Sequence, residues 1–411
     1  MTLREAPEYE ETSATENYKV LVFVGEENSI HNSITSTTST TPSSPHLSLC
    51  CLTHSSDIQS PNTGKMKSTI ILSALAVVAS ASPFVKPRSL DISAYKAVPT
   101  VPVTGAPAGN TATPTLLYNP ATAAAVVTAD ATASPIAKRK TKRTTCPAAC
   151  PANPAGNGPA VSSPDTPAAF HSSSVFADAA LNAATPESYA LVDGFKNVEA
   201  SAQDATYLTY ISDALTSYNP AICANACNNI QGCTSFNIYF ERDPTVVPNE
   251  DDCPNPASQT LIKCALFGGL LSASSATNVG QWQADFNVVI AGSNAYNAIA
   301  PPTLSGYGTP QSFGTATIDA PANTTTYMGE ESFSQAQPYD PSLCAATCSA
   351  KHSPECAFFV SYILYENGQN GVFTCTYFTV TYGPEQAIEK GQYDEQGNHY
   401  TIGHSFGYTV L

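Results

Sequence analysis

One cysteine frame occurs twice in this chain of 411 residues. The first copy reads Tyr218-Asn-Pro-Ala-Ile-Cys223-Ala-Asn-Ala-Cys227, then Cys233-Thr-Ser-Phe236 and Tyr239, then Cys264-Ala-Leu-Phe267 and Gly280-Gln281-Trp282. The second reads Tyr339-Asp-Pro-Ser-Leu-Cys344-Ala-Ala-Thr-Cys348, then Cys356-Ala-Phe-Phe359 and Tyr362, then Cys375-Thr-Tyr-Phe378 and Gly391-Gln392-Tyr393. In both, the Gly-Gln-aromatic triplet starts 16 positions after the last cysteine. Upstream, Val198 to Leu208 aligns without a gap to Ile318 to Met328. A repeat of about 120 residues is domain-sized and too long for a solenoid unit. The chain is therefore expected to hold two copies of one disulfide-stapled module, at residues 185–298 and 299–411.

Each copy opens on a helix signal. Asn219 and Asp340 suit the cap position, and the proline that follows suits the first helical turn. Cysteines four apart lie on one helical face, so Cys223 with Cys227, and Cys344 with Cys348, can face one sheet. Phe236 to Phe240 and Phe373 to Thr379 alternate like half-buried strands, and Trp282 to Ile290 reads as the closing strand of copy one. The expected class is α+β: two disulfide-stapled modules, each a small antiparallel sheet packed on one helix, after a disordered N-terminal region.

The order of these motifs resembles PAN/apple-like modules, and the tandem form is similar to secreted proteins of filamentous fungi. The resemblance covers about residues 185–411. It implies the pairings Cys223–Cys264, Cys227–Cys233, Cys344–Cys375 and Cys348–Cys356; the sequence alone permits others. Cys253 lies outside the frame, in an acidic, Pro-rich insertion of copy one. Of 11 cysteines after Arg143, it is expected to pair with Cys146 or Cys150. A zinc site is disfavoured, because the secretory context favours disulfides over thiolates.

That context comes from the N-terminal third. Residues 1–65 are rich in Ser and Thr and read as disordered, an over-extension ahead of the true start. Residues 66–81 read as a signal peptide: basic start, apolar run, and a small-x-small cleavage site at Ala81. The run is too short to span a membrane. Residues 82–143 read as a low-complexity pro-segment ending in dibasic sites at Arg139 and Arg143, and residues 144–184 as a Pro/Ala-rich segment. Cleavage there is expected to give a chain starting at Thr144. From Thr144 on, 5 Lys and Arg stand against 23 Asp and Glu, a net charge of −18. Such a surface argues against nucleic acid or an anionic membrane as partner. Asn323-Thr-Thr is an N-glycosylation sequon.

Catalytic signals are weak. Gly403-His404-Ser405-Phe406-Gly407 matches a nucleophile elbow, but the acid and histidine of that fold follow the serine, and here only four residues follow the motif. His399 and His404 with Asp394 or Glu395, and Glu250-Asp251-Asp252, read as solvated polar clusters rather than metal or calcium sites. No phosphate loop or dinucleotide fingerprint occurs, so no cofactor is expected. The aromatics Trp282, Tyr393, Tyr239 and Tyr362 recur at matched positions. A repeated aromatic at strand spacing is more often core than ligand-stacking, so both readings are carried forward. The expected function is a secreted, non-catalytic binding or structural protein engaging cell-wall carbohydrate or extracellular protein. The alternatives are a secreted hydrolase with an unrecognised site, or an effector acting on a host protein.

Overall fold

Asn219 and Asp340 each start a helix in the way their sequence dictates. The Asn219 side chain accepts the Ala221 amide at 3.0 Å, and Asp340 accepts the Ser342 amide at 3.0 Å, with proline next in each case. The computed structural model describes residues 90–110, 114–128, 150–321, 324–351 and 355–411. All belong to one compact unit beginning at Ala79. Ala81, Arg139, Arg143, Cys146 and Asn323 lie outside the described residues.

In chain order the elements are α1 (Ile92–Ala97), α2 (Pro120–Thr128), α3 (Pro167–His171), α4 (Ser174–Asn182), β1 (Tyr189–Leu191), β2 (Ser201–Ala202), β3 (Tyr207–Ile211), α5 (Pro220–Asn228), β4 (Ser235–Pro244), β5 (Ser258–Phe267), β6 (Ala276–Asn278), β7 (Gly280–Gln283), β8 (Phe286–Ala298), β9 (Gln311–Gly314), β10 (Tyr327–Ser332), α6 (Pro341–Lys351), β11 (Phe358–Glu366), β12 (Gln369–Phe378), β13 (Gly391–Tyr393) and β14 (His399–Thr409). Twelve of the strands form two six-stranded antiparallel sheets, and β2 pairs with β6 in a third, two-stranded one. The first has the order β1-β8-β4-β5-β3 with β7 also on β8; the second has β10-β12-β11-β14-β13 with β9 also on β14. Each strand of one sheet thus has a counterpart in the other, and α5 and α6 pack on equivalent central strands. Trp282 to Ile290 is not one closing strand but a hairpin. Ala284 takes a left-handed conformation (φ 49°), so the chain reverses between β7 and β8.

Four bridges pin the helices to the sheets: Cys223–Cys264, Cys227–Cys233, Cys344–Cys375 and Cys348–Cys356. This is the pairing that the resemblance implies. A fifth, Cys150–Cys253, ties the insertion of copy one to the segment before α3. Among the described residues no helix is long and apolar enough to cross a membrane.

Both faces of each sheet are covered, and much of the cover comes from outside the two repeats. Along β4, Phe236, Ile238 and Phe240 face α5, with Phe170 of α3 and Phe176 of α4 packed beside them. Asp165, just ahead of α3, anchors that segment. It accepts from Arg242 at 2.8 Å and from Ser258, contacts that hold its carboxyl below the usual range against the opposing effect of burial. The core of the first sheet therefore draws on residues upstream of 185. Residues 90–110 and 114–128, which composition marks as removable, are built into the fold as a strap. Leu90 and Tyr95 enter the core on one face of the second sheet, Val127 packs beside Tyr339 and Leu343 on the other, and Ala106 enters the first sheet. Thr104 exchanges two backbone hydrogen bonds with Asp204, at 3.1 and 2.9 Å.

Beneath the strap lies a buried charge cluster. Period-two alternation puts Tyr239, Glu241 and Asp243 on the face of β4 away from α5, next to Lys263 of β5. Lys263 donates to Glu241 at 2.9 Å and to the strap carbonyls of Pro107 and Gly109. The Gly109 amide donates to Glu241 at 2.8 Å. Lys263 balances one carboxylate only. Burial, and then the charge of Glu241, push Asp243 well above its ordinary value of 3.8, which favours its protonated form. Folding takes up a proton here: this stabilisation is complete below 3.8 and is lost as pH rises through the folded-state value. His404 works in the opposite sense. Burial lowers it from 6.5 to about 4, so its contribution is present above 6.5 and is lost as pH falls toward 4. Between about 4 and 6.5 the two trends oppose each other, and above 6.5 only the Asp243 loss remains, so a high-pH limb of declining stability is expected there. Asp243→Asn, which mimics the protonated acid, should flatten that high-pH limb. Urea midpoints measured across pH test this, and an unchanged high-pH limb in the variant would refute it.

Candidate ligand-binding faces

The Gly-Gln-aromatic triplets build two equivalent edge hairpins. Gly280 (φ 101°) and Gly391 (φ 130°) are left-handed, and a Cβ on either would collide with a facing carbonyl oxygen, of Val288 or of Tyr400. Only glycine lets β7 lie so close to β8, or β13 to β14. The aromatic two residues on then points outward. Trp282 is 68 % exposed and Tyr393 69 %. The other matched pair behaves differently. Tyr239 and Tyr362 sit on the central strands β4 and β11 with no exposed surface, so they cannot stack on a ligand and belong to the core.

The second copy gives its ring more surroundings. Tyr393 stacks on His399 with ring centres 4.3 Å apart and 9° between planes. Asp394 accepts from the Asn398 amide at 2.8 Å and pairs with Lys96 of the strap at 2.9 Å. Those contacts, the Lys96 bond foremost, hold its carboxyl well below the usual range. Gln392 donates to the Leu90 carbonyl at 2.9 Å. Beside these residues is an open depression of about 730 Å³. The two faces thus present a flat ring on a fixed hairpin. They can cover an apolar face of a ligand while neighbouring carboxylates and amides take its hydroxyls or amides.

The serine motif forms no elbow. Gly403 to Gly407 runs within β14, where the pairing with β11 shifts between Ser361 and Ile363. The same shift occurs in copy one between Ile238 and Phe240, where Gly292 (φ 58°) takes the place of His404 (φ 51°) and Ser293 that of Ser405. Both serines are fully buried. The motif is the second copy of a β-bulge. In copy one Asn237 donates to Ser293 at 2.8 Å, whereas Val360 occupies the matching position in copy two and the Ser405 hydroxyl has no hydrogen-bond partner among the described residues. His404 is buried against Tyr339 and Phe406, apart from the Tyr393–His399 stack. Among the described residues no three His, Cys, Asp or Glu side chains converge as a metal site. Asn249 caps the turn of the acidic insertion, accepting the amides of Asp251 and Asp252.

Sequence reasoning missed the Glu241–Asp243–Lys263 cluster. The alternation that places it was visible, but a charged run at the end of a strand reads as solvated until the strap is known to cover it. Compared with protein-family models, with curated proteins and with solved structures, the chain has no match.

Proposed function

We propose that this is a secreted, non-catalytic binding protein whose two PAN/apple-like modules engage carbohydrate or protein of a cell wall or extracellular matrix. One observation carries the reading: the two copies differ widely in sequence, yet both keep a large aromatic ring outside the fold at the same hairpin position. An exposed ring adds little to folding, and rigid exposed aromatics are the residues that dominate binding surfaces. Five disulfides and an acidic surface are compatible with an extracellular setting.

Two faces on one chain give avidity on a repeating or surface-bound ligand. Wild-type protein is expected to be retained on at least one of chitin, β-glucan or whole wall and matrix fractions. Trp282→Ala alone should weaken retention by about 100-fold, the loss of the second binding event. The double variant with Tyr393→Ala should abolish it, while thermal stability changes by less than about 0.5 kcal/mol, as for exposed positions. Failure of the wild-type chain to bind any of these matrices, or full retention of the double variant, would sink the proposal.

A further inference from the structure

The two copies meet at a junction that neither could form alone. The Tyr339 amide donates to the Gly268 carbonyl at 2.7 Å, Gln231 donates to Asp340 at 2.9 Å, and Tyr118 of the strap donates to the same Asp340 oxygen atom at 2.8 Å. Around this seam, residues of both copies and of the strap enclose a cavity of about 370 Å³. Copy one contributes Asp204, copy two Gln335, Tyr365 and Phe373, and the strap Val101 and Val103.

Two polar groups in its wall are only half used. Gln335 is 7 % exposed, and its carbonyl oxygen accepts the Val101 amide at 3.1 Å. Its amide nitrogen has no hydrogen-bond partner among the described residues. Asp204 spends one oxygen on the amide and hydroxyl of Thr206, and its other oxygen makes no hydrogen bond among the described residues. An amide donor left open on a mostly buried side chain is free to meet water or a ligand. Among the described residues no Lys, Arg or His lines the cavity, so none of them would balance a phosphate, sulfate or carboxylate there. Burial also favours the neutral form of Asp204, which weakens it as a cation anchor. The volume is in the range of small-ligand sites, and the apolar part of the wall is aromatic and aliphatic.

We propose that the junction cavity binds one small neutral polyhydroxylated ligand, of monosaccharide to disaccharide size, with hydroxyls meeting the Gln335 amide and the free Asp204 oxygen. This site is separate from the exposed aromatic faces. It occurs once per chain, whereas the aromatic faces occur twice.

Calorimetric titration of the full chain with glucose, mannose, galactose, N-acetylglucosamine and their disaccharides tests it. At least one should give saturable one-to-one binding, and glucuronic acid should give none. Gln335→Leu should weaken binding about tenfold, the loss of one hydrogen bond. Asp204→Ala removes the free oxygen and should weaken binding by a similar factor. Trp282→Ala with Tyr393→Ala should leave it unchanged. Absence of saturable binding by every neutral sugar, or binding unaffected by both cavity variants, would overturn the inference. Binding of two sugars per chain that vanishes with the aromatic pair would also overturn it, and would leave the proposed surface function standing.

Discussion

Lys263→Met should destabilise the folded protein by about 3–5 kcal/mol, the usual cost of removing one partner of a buried ion pair. The Lys263 side chain has no exposed surface, and its ammonium group serves three acceptors: Glu241 and the carbonyls of Pro107 and Gly109. Methionine fills much of the same space but donates nothing. Glu241 would then be a buried carboxylate beside the already crowded Asp243, with the Gly109 amide as its remaining close donor. Two strap carbonyls would also lose their partner. Urea denaturation gives the size of the loss. The double change Lys263→Met with Glu241→Met separates charge from packing: because it removes both ions, it should recover much of the stability lost in the single variant. A single-variant loss below about 1 kcal/mol would mean that the cluster is solvated rather than sealed by the strap.

The second large effect concerns the strap itself. A chain that starts at Thr144 lacks Leu90, Tyr95, Ala106 and Val127, all buried in the cores of the two sheets. It also lacks the carbonyls that bind Lys263 and the Tyr118 hydroxyl that binds Asp340. Burial of the apolar side chains alone is worth on the order of 5 kcal/mol. Native domains hold about 5–15 kcal/mol in all. Residues 144–411 produced alone should therefore aggregate, or melt far below the 82–411 chain, and should bind a hydrophobic dye that the longer chain does not. Cleavage at Arg139 or Arg143 in the longer chain is expected to leave the strap docked. Native mass spectrometry would then show both pieces together, and denaturing conditions would part them, since residues 82–143 contain no cysteine. A chain from Thr144 that melts like the longer one would show the strap to be dispensable.

Much of the fold was legible because its signals are local or pairwise. The capped proline starts of α5 and α6 depend on three adjacent residues. The shared faces of Cys223 with Cys227, and of Cys344 with Cys348, follow from helix geometry alone. Strand alternation in β4 and β12 gave the period, although not the hairpin at Ala284, because a non-glycine residue in a left-handed turn leaves no clear mark in sequence. The duplication also showed that each part should occur twice, as the matched sheet orders do.

The candidate sites were less legible. Tyr239 and Trp282 both recur at matched positions in aromatic-rich strands. One became core and the other surface because β4 is central, with both faces covered, while β7 is a short edge strand. The Gly-x-Ser-x-Gly match is a β-bulge fixed by the pairing of β14 with β11 and repeated where β8 pairs with β4, which no local spacing encodes. The sequence by itself determined the two modules, their helix starts and the cysteines available to staple them, since these rest on spacings within one element or one repeat. Only the tertiary structure decided what covers the second face of each sheet, which charges are buried, and that a cavity lies where the copies meet. Those outcomes depend on an Ala-, Thr- and Pro-rich strap with no periodic pattern of its own, placed by contacts more than a hundred residues away in the chain.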